Sequence, residues 1–210
     1  MKITVKPIGM IGANACLIET DGKNVLIDPG GSPTEWHSVL PRVDLILCTH
    51  GHFDHIDGAD TFRSQTSAPL LIHSADAIAL TDPQRNASTM IGRPLAFKPA
   101  DGDLTDGMIV PLDEQYHLQV IETPGHTPGG VCLLLFEDKL PIELFSGDTL
   151  FAGSIGRLDI GGDPDDMQDS LKKLMLLPDH VRVQPGHGPA TTIGEERATN
   201  PYLRGNRFTR

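Results

Sequence analysis

The chain has 210 residues, 39% of them hydrophobic, which is enough to bury the core of one α/β or α+β domain. Its 17 lysines and arginines stand against 28 aspartates and glutamates, and the resulting charge of −11 opposes attraction to nucleic acid or to an anionic membrane. The opening Met-Lys-Ile-Thr-Val-Lys-Pro lacks a continuous apolar stretch and no run approaches the roughly 20 residues that span a bilayer, so a soluble cytoplasmic protein is expected.

Ile3 to Ile8 and Ala15 to Thr20 read as strands, and Asp21-Gly22-Lys23 turns the chain into the apolar run Val25-Leu26-Ile27. These three form an antiparallel meander. Asp28-Pro29-Gly30-Gly31 then breaks the strand and leaves Asp28 at its end. Thr34 to Leu40 reads as a short helix, and Val43 to Cys48 as a strand buried on both faces. A helix over Gly58 to Ser64, a strand over Pro69 to Ile72 and a helix over Ala75 to Leu80 continue a layered α/β arrangement.

Residues 82–107 are rich in Pro, Gly, Asp and Asn without a clear period, and read as a long surface excursion. Ile109 to Leu112, His117 to Glu122, Val131 to Phe136 and Ile142 to Ser146 then supply strands of a second sheet. Met167, Leu171, Leu174 and Met175 recur at helical spacing behind Asp163-Pro164, predicting a helix over Asp165 to Leu177, and Val181 to Gln184 is a last strand. No repeat or linker divides the chain, so residues 1–210 are expected to form one domain. Cys16, Cys48 and Cys132, far apart and each in an apolar run, read as buried thiols.

Chemistry collects at strand ends. Thr49-His50-Gly51-His52-Phe53-Asp54-His55 places four metal-type ligands directly after the Val43 to Cys48 strand. With nine histidines in the chain, three at fixed positions of one six-residue window arise by chance on the order of 2% of the time. Three later segments repeat the pattern: Thr-Pro-Gly-His126, Ser-Gly-Asp148 and Gln-Pro-Gly-His187 each set a ligand-type residue after an apolar run, beside a glycine. His126 or His187 taken singly would read as structural, and the shared context is what enlists them.

These segments resemble the metallo-β-lactamase superfamily, whose signature is H-x-H-x-D-H followed by a histidine, an aspartate and a final histidine. The resemblance implies an α/β fold, a four-layer αββα sandwich of two mixed β-sheets flanked by helices, with the site at one edge. It also implies His50, His52 and His126 on one metal, Asp54, His55 and His187 on a second, and Asp148 bridging. Two divalent ions are therefore expected; zinc is the first choice, and iron and manganese suit the same nitrogen and oxygen set. Asp28 and Thr49 match no direct ligand; both are placed to hydrogen-bond a ligand or the ligand loop, with plain turn capping the alternative for Asp28. Asp57, His73 and His117 read as ordinary structure.

Thr-Pro-Gly-His-Thr-Pro-Gly-Gly at 123–130, Ser-Gly-Asp-Thr-Leu-Phe at 146–151 and the Pro-Gly-His-Gly-Pro-Ala-Thr-Thr ending look like the hydroxyacylglutathione hydrolase (glyoxalase II) branch. That branch implies hydrolysis of a small-molecule thioester such as S-lactoylglutathione by a metal-bridging hydroxide, with Asp54 as the catalytic side chain beyond the pure ligands. Arg157 stands where related hydrolases carry a cation for the glutathione carboxylates, or is simply a surface arginine. Only 23 residues follow His187, which corresponds to a form without the C-terminal helical domain of full-length glyoxalase II, and Arg204, Arg207 and Arg210 lie in that tail. A mononuclear iron persulfide dioxygenase and superfamily hydrolases of lactones, β-lactams or phosphodiesters are the alternatives, the last opposed by the acidic balance.

Overall fold

A computed structural model of the chain describes residues 1–36 and 42–203. The first half forms a six-stranded sheet from β1 (Lys2–Ile8), β2 (Ala13–Glu19), β3 (Val25–Ile27), β4 (Leu45–Leu47), β5 (Leu70–Ile72) and β6 (Gly102–Asp103), in that order. Pairing is antiparallel from β1 to β3 and parallel from β3 to β6. Parallel neighbours need crossovers, and these are supplied by α1 (Pro33–Trp36), α2 (Phe53–Ile56), α3 (Ala59–Thr66) and α4 (Ser74–Ala77).

The second half builds the other six-stranded sheet from β7 (Ile109–Pro111), β8 (Tyr116–Glu122), β9 (Val131–Glu137), β10 (Leu140–Gly147), β13 (Arg182–Pro185) and β14 (Thr191–Thr192). Between β10 and β13 the chain makes a small hairpin, β11 (Leu150–Phe151) with β12 (Ser154–Ile155), and then the helix α5 (Pro164–Leu174). The β10–β13 pair is parallel while the rest of this sheet is antiparallel, and α6 (Ile193–Thr199) closes it.

The period-two alternation of each strand divides the apolar residues among three layers. Val25, Ile27 and Leu47 of the first sheet meet Leu118, Val120, Leu133 and Leu135 of the second. Leu26 and Ile46, one position out of phase, face Trp36, Ile56 and Phe62 on the helical side. Likewise Leu134 and Leu144 turn outward onto Met167, Leu171 and Leu174 of α5 and Ile193 of α6. The result is the expected sandwich of two mixed sheets between two layers of helix. The three cysteines are free and buried within it, and burial pushes the Cys132 thiol up to about 11.

Local chemistry sets the boundaries. Asp163 caps α5 by accepting from the Asp165 and Asp166 amides at 2.8 and 3.0 Å, with Pro164 at the first helical position. That helix stops at Leu174, short of the expected Leu177. The expected helix over Thr34 to Leu40 is described as α1 to Trp36; residues 37–40 lie outside the described residues, as do Arg204, Arg207 and Arg210.

The excursion over residues 82–107 corrects the sequence expectation, since it is only partly a surface loop. Asn86, Ser88 and Leu104 are wholly buried. Asn86 Nδ2 donates to the Ala79 and Leu95 carbonyls at 2.9 and 3.0 Å, and its Oδ1 accepts from the Ser88 amide at 3.0 Å. A loop organised by one side chain bonding to backbone carries no periodic signal, which is why the pattern was invisible. Helices α2 and α6 and the β11–β12 hairpin were missed because four- to seven-residue elements and two-residue strands barely register as a period.

Phe62 is fully buried and meets Trp36 edge to face at 6.5 Å. Phe62→Ala is expected to cost about 3–5 kcal/mol of unfolding free energy, read as a shift in urea midpoint, with metal stoichiometry unchanged.

Candidate metal centre

Every ligand-type residue singled out in the sequence arrives at the same edge of the sandwich. His50 and His52 follow β4 of the first sheet, and Asp54 and His55 occupy α2 immediately after. His126, Asp148 and His187 follow β8, β10 and β13 of the second sheet. His50, His52, Asp54, His55 and His126 are buried, while His187 has 27% of its side chain exposed and opens the site to solvent.

The ring nitrogens are sorted by what lies behind them. His55 Nδ1 is 3.0 Å from Asp28 Oδ2. His50 Nδ1 is 3.1 Å from the Thr49 hydroxyl, which donates onward to Asp28 Oδ2 at 2.7 Å. His126 Nδ1 is 2.7 Å from the Arg157 carbonyl. Each acceptor favours the proton on Nδ1 of the neutral ring, so that Nε2 is the nitrogen turned inward as the ligand atom. His52 turns its Nδ1 inward instead, 2.8 Å from His126 Nε2.

The inward atoms form two groups. One nitrogen from each of His50, His52 and His126 lies within 4.8 Å of the others, and the same holds for the ligand atoms of Asp54, His55 and His187. Asp148 joins them: one oxygen is 3.5 Å from His126 Nε2, the other 3.4 Å from His55 Nε2. Asp28, His50 and His55 satisfy the same proximity, but both Asp28 oxygens are already committed to Thr49 and His55.

This donor set fits divalent cations. His50 Nε2 and Asp148 Oδ1 are buried without a hydrogen-bond partner, although buried polar atoms are ordinarily paired. Nitrogen and carboxylate donors aimed at common points, with no sulfur, suit zinc, iron or manganese. Electrostatics agree. Burial, reinforced by the neighbouring imidazoles, holds His50 well below the ordinary range and His52 down at about 4, which keeps both neutral and able to ligate. Burial would raise Asp54 and Asp148, yet His55 and His187, joined at Asp148 by His126, outweigh it and hold both carboxyls below their usual range. His55 goes the other way, because Asp54, Asp148 and Asp28 overcome the effect of its burial and raise it.

Asp28 therefore orients the His55 ring directly and the His50 ring through Thr49. It also accepts from the Thr49 amide at 2.7 Å, so it fixes the start of the ligand loop as well as two of its rings. Asp76 does comparable work and was missed by sequence reasoning. Its buried carboxylate accepts from the Gly51 amide at 2.9 Å and the Gly129 amide at 2.7 Å, tying the His50–His52 loop to the His126 loop. In the sequence it is indistinguishable from an acid in the first turn of a short helix. Arg157 reaches the site chiefly through its carbonyl. Its guanidinium is exposed and paired with Asp159 at 2.7 and 2.5 Å. His73 caps α4 and His117 stacks on Phe136, both structural as expected.

Above the ligands lies a cavity of about 520 Å³, floored by His52, Asp54, His126, Asp148 and His187 and walled by Ile11, Phe53, Met90, Ile91, Phe151 and Ile155. A smaller one of about 250 Å³ shares His52 and Ile160 with it and includes Gln84 and Arg85.

Comparison with known proteins agrees with this geometry. Residues 8–187 match the family model of the metallo-beta-lactamase superfamily. A probable metallo-hydrolase of Bacillus subtilis, YqgX, is 37% identical over 98% of this chain and 99% of its own. The hydroxyacylglutathione hydrolase GloC of Haemophilus influenzae is 33% identical over 97% of this chain and 98% of its own. Among solved structures, the BLEG-1 B3 metallo-beta-lactamase superposes with a TM-score of 0.89 at 38% identity, covering 97% of this chain and all of that one. TTHA1623 in a di-iron-bound form gives 0.79 at 37% identity, over 94% and 98%. The chain belongs to the metallo-β-lactamase superfamily, and the class it falls in is that of the metallo-hydrolases. Of the two relatives YqgX and GloC, it is GloC whose name specifies a reaction.

Two predictions follow from the hydrogen-bond network and the charges. Asp28 sits at φ 52°, a left-handed conformation that asparagine also tolerates, so Asp28→Asn changes the charge with little backbone strain. It is expected to weaken metal affinity about 10- to 100-fold in chelator competition. Metal-stripped protein should be most stable near pH 6.5. Below that, unfolded His50 and His52 take up protons that the folded state refuses, so stability falls as pH drops toward about 4. Above it, the proton held by folded His55 is lost as pH rises through its raised pKa, and stability falls again. Urea midpoints in chelator from pH 4 to 9 check both arms.

Proposed function

We propose that the chain is a thioester hydrolase of the hydroxyacylglutathione hydrolase type, acting on a small molecule in a reducing, cytoplasmic setting. The observation that carries the reading is the likeness to GloC over nearly the full length of both chains, joined to a ligand set with no gap. His50, His52 and His126 would hold one divalent ion, Asp54, His55 and His187 the second, with Asp148 between them. Such ions supply a bound water whose pKa is brought toward roughly 7 and a Lewis acid for the carbonyl oxygen.

This chain's own side chains then do three things. Asp54, held ionised on the cavity floor, orients the attacking hydroxide toward the carbonyl carbon. Arg157 and Asp28 keep the rings of His126 and His55 in one tautomer while charge develops. The departing thiolate, with a free-thiol pKa near 8.5, leaves with little proton assistance, so no further acid is required. Anionic parts of the thiol half would be met by Arg157 and by Arg85, whose side chain has no ion pair among the described residues. Zinc is the first choice of metal, and the di-iron form of TTHA1623 supports iron as the second.

Beta-lactam hydrolysis is the second reading, favoured by the likeness to BLEG-1. Metal analysis of protein purified without chelator, with assays on S-lactoylglutathione, a chromogenic β-lactam and glutathione persulfide, separates the readings. Two metals and thioester turnover are expected; oxygen uptake with the persulfide alone would replace hydrolysis by dioxygenation. Asp54→Asn at full metal occupancy should lower thioester kcat by about 10²- to 10⁴-fold. Arg85→Ala and Arg157→Ala should each raise KM more than they lower kcat.

A further inference from the structure

Apart from Arg85, the excursion over residues 82–107 has no part in the chemistry above, yet its turns are fastened from within. Its turn over Ser88–Ile91 presents Met90 and Ile91 at 64% and 37% exposure, an unfavourable way to display apolar side chains in water. Ile11, which lines the same cavity, is 54% exposed. The frame beneath the turn is wholly buried and polar. Asn86 holds Ala79, Ser88 and Leu95 as described, and the Ser88 hydroxyl accepts from the Leu95 amide at 2.8 Å. The Asn86 carbonyl accepts from the Phe53 amide at 2.9 Å, one residue before Asp54. The apolar wall is thus fastened to the loop that carries the ligands.

We infer that this wall receives an apolar acyl arm, so that the preferred substrates are thioesters of medium-length or aromatic acids in place of lactoyl. The inference rests on the thioester reading. Lactoyl would offer the wall a single methyl group, whereas Ile11, Phe53, Met90, Ile91, Phe151 and Ile155 line a cavity of about 520 Å³. Among the described residues its only lining cation is Arg157, and the smaller cavity adds Arg85, so the two cations assigned to the anionic thiol half leave the Met90–Ile91 wall to the acyl half. The ligand residues floor the larger cavity directly, which assigns the wall to substrate and not to a protein partner.

The test uses uncleavable thioethers on metal-loaded protein: S-methyl-, S-butyl- and S-hexylglutathione, titrated calorimetrically. Affinity is expected to rise about two- to fourfold per methylene. The double variant Met90→Ser, Ile91→Ser, changed at exposed positions, should lose most of that slope, while the remote and exposed Leu176→Ser control keeps it. A flat series in the parent, no detectable binding of the hexyl thioether, or a slope untouched by the double variant would each overturn the assignment. Thioester turnover is measured on the same proteins. A steep binding series without turnover removes the hydrolase reading and leaves the wall; turnover with a flat series does the reverse.

Discussion

Asp28 ends β3 with its backbone in the left-handed region and turns both carboxylate oxygens onto the loop after β4. A carboxylate 2% exposed suffers a desolvation cost of several kcal/mol unless donors replace the lost water. Three do so: the Thr49 amide, the Thr49 hydroxyl and His55 Nδ1, all within 3.0 Å. Because Thr49 in turn faces His50, one buried charge decides the orientation of two imidazoles and the path of the chain between them. The ligand loop has little freedom left once Asp28 is in place. That rigidity is what lets the rings of His50, His52, His55 and His126 pack against one another, with the His50 ring centroid 4.2 to 4.9 Å from the other three, without scattering.

The second sheet reaches the same point through contacts that tolerate no side chain. The Thr49 carbonyl accepts from the Val131 amide at 2.8 Å, joining the two sheets at the site itself. Gly147, at φ 48°, packs where a Cβ would come within 2.5 Å of the Thr49 hydroxyl, and a Cβ on Gly186 would collide with Asp148 Oδ1. On the other side Asn14 donates to the Pro185 and Gly188 carbonyls at 3.0 and 2.9 Å, which holds the His187 loop against β2. The two sheets are therefore registered at the metal end by hydrogen bonds and at mid-height by apolar packing. The edge cannot open by one sheet sliding on the other without breaking both.

Much of this was legible in the residues themselves. Val25-Leu26-Ile27 and Val131 to Phe136 advertise strands through β-branched and apolar runs closed by breakers, and the ligand cluster stands out because each histidine follows such a run. Asp28 could be placed at a strand end, but its choice of partner depends on β3 lying beside β4, a fact of sheet order. Asp76 was invisible for the same reason, since its two amide partners are 25 and 53 residues away. The organisation of the excursion was illegible because Asn86 acts through backbone groups, and backbone groups are the same in every sequence. Local pattern reports what a residue is; it does not report which distant loop it will meet.

That difference separates the two tasks of the cavity. Its floor is assembled just beyond strand ends, where hydrogen bonds from Asp28, Asp76 and the Arg157 carbonyl hold the rings and the loops that carry them, and chemistry at a pair of cations demands such positioning. Its wall is carried in large part by Met90, Ile91 and Ile11, whose side chains are exposed and contribute little to folding. Substitution in the wall is cheap for stability, whereas substitution at Asp28, Thr49 or Gly147 disturbs the packing of both sheets. Yet the wall is not loose, because the Phe53 amide and Asn86 carbonyl couple it to the residue before Asp54. An acyl arm seated against Met90 and Ile91 thus presses on the segment that positions Asp54, so binding far from the carbonyl can be converted into orientation at the reacting atom.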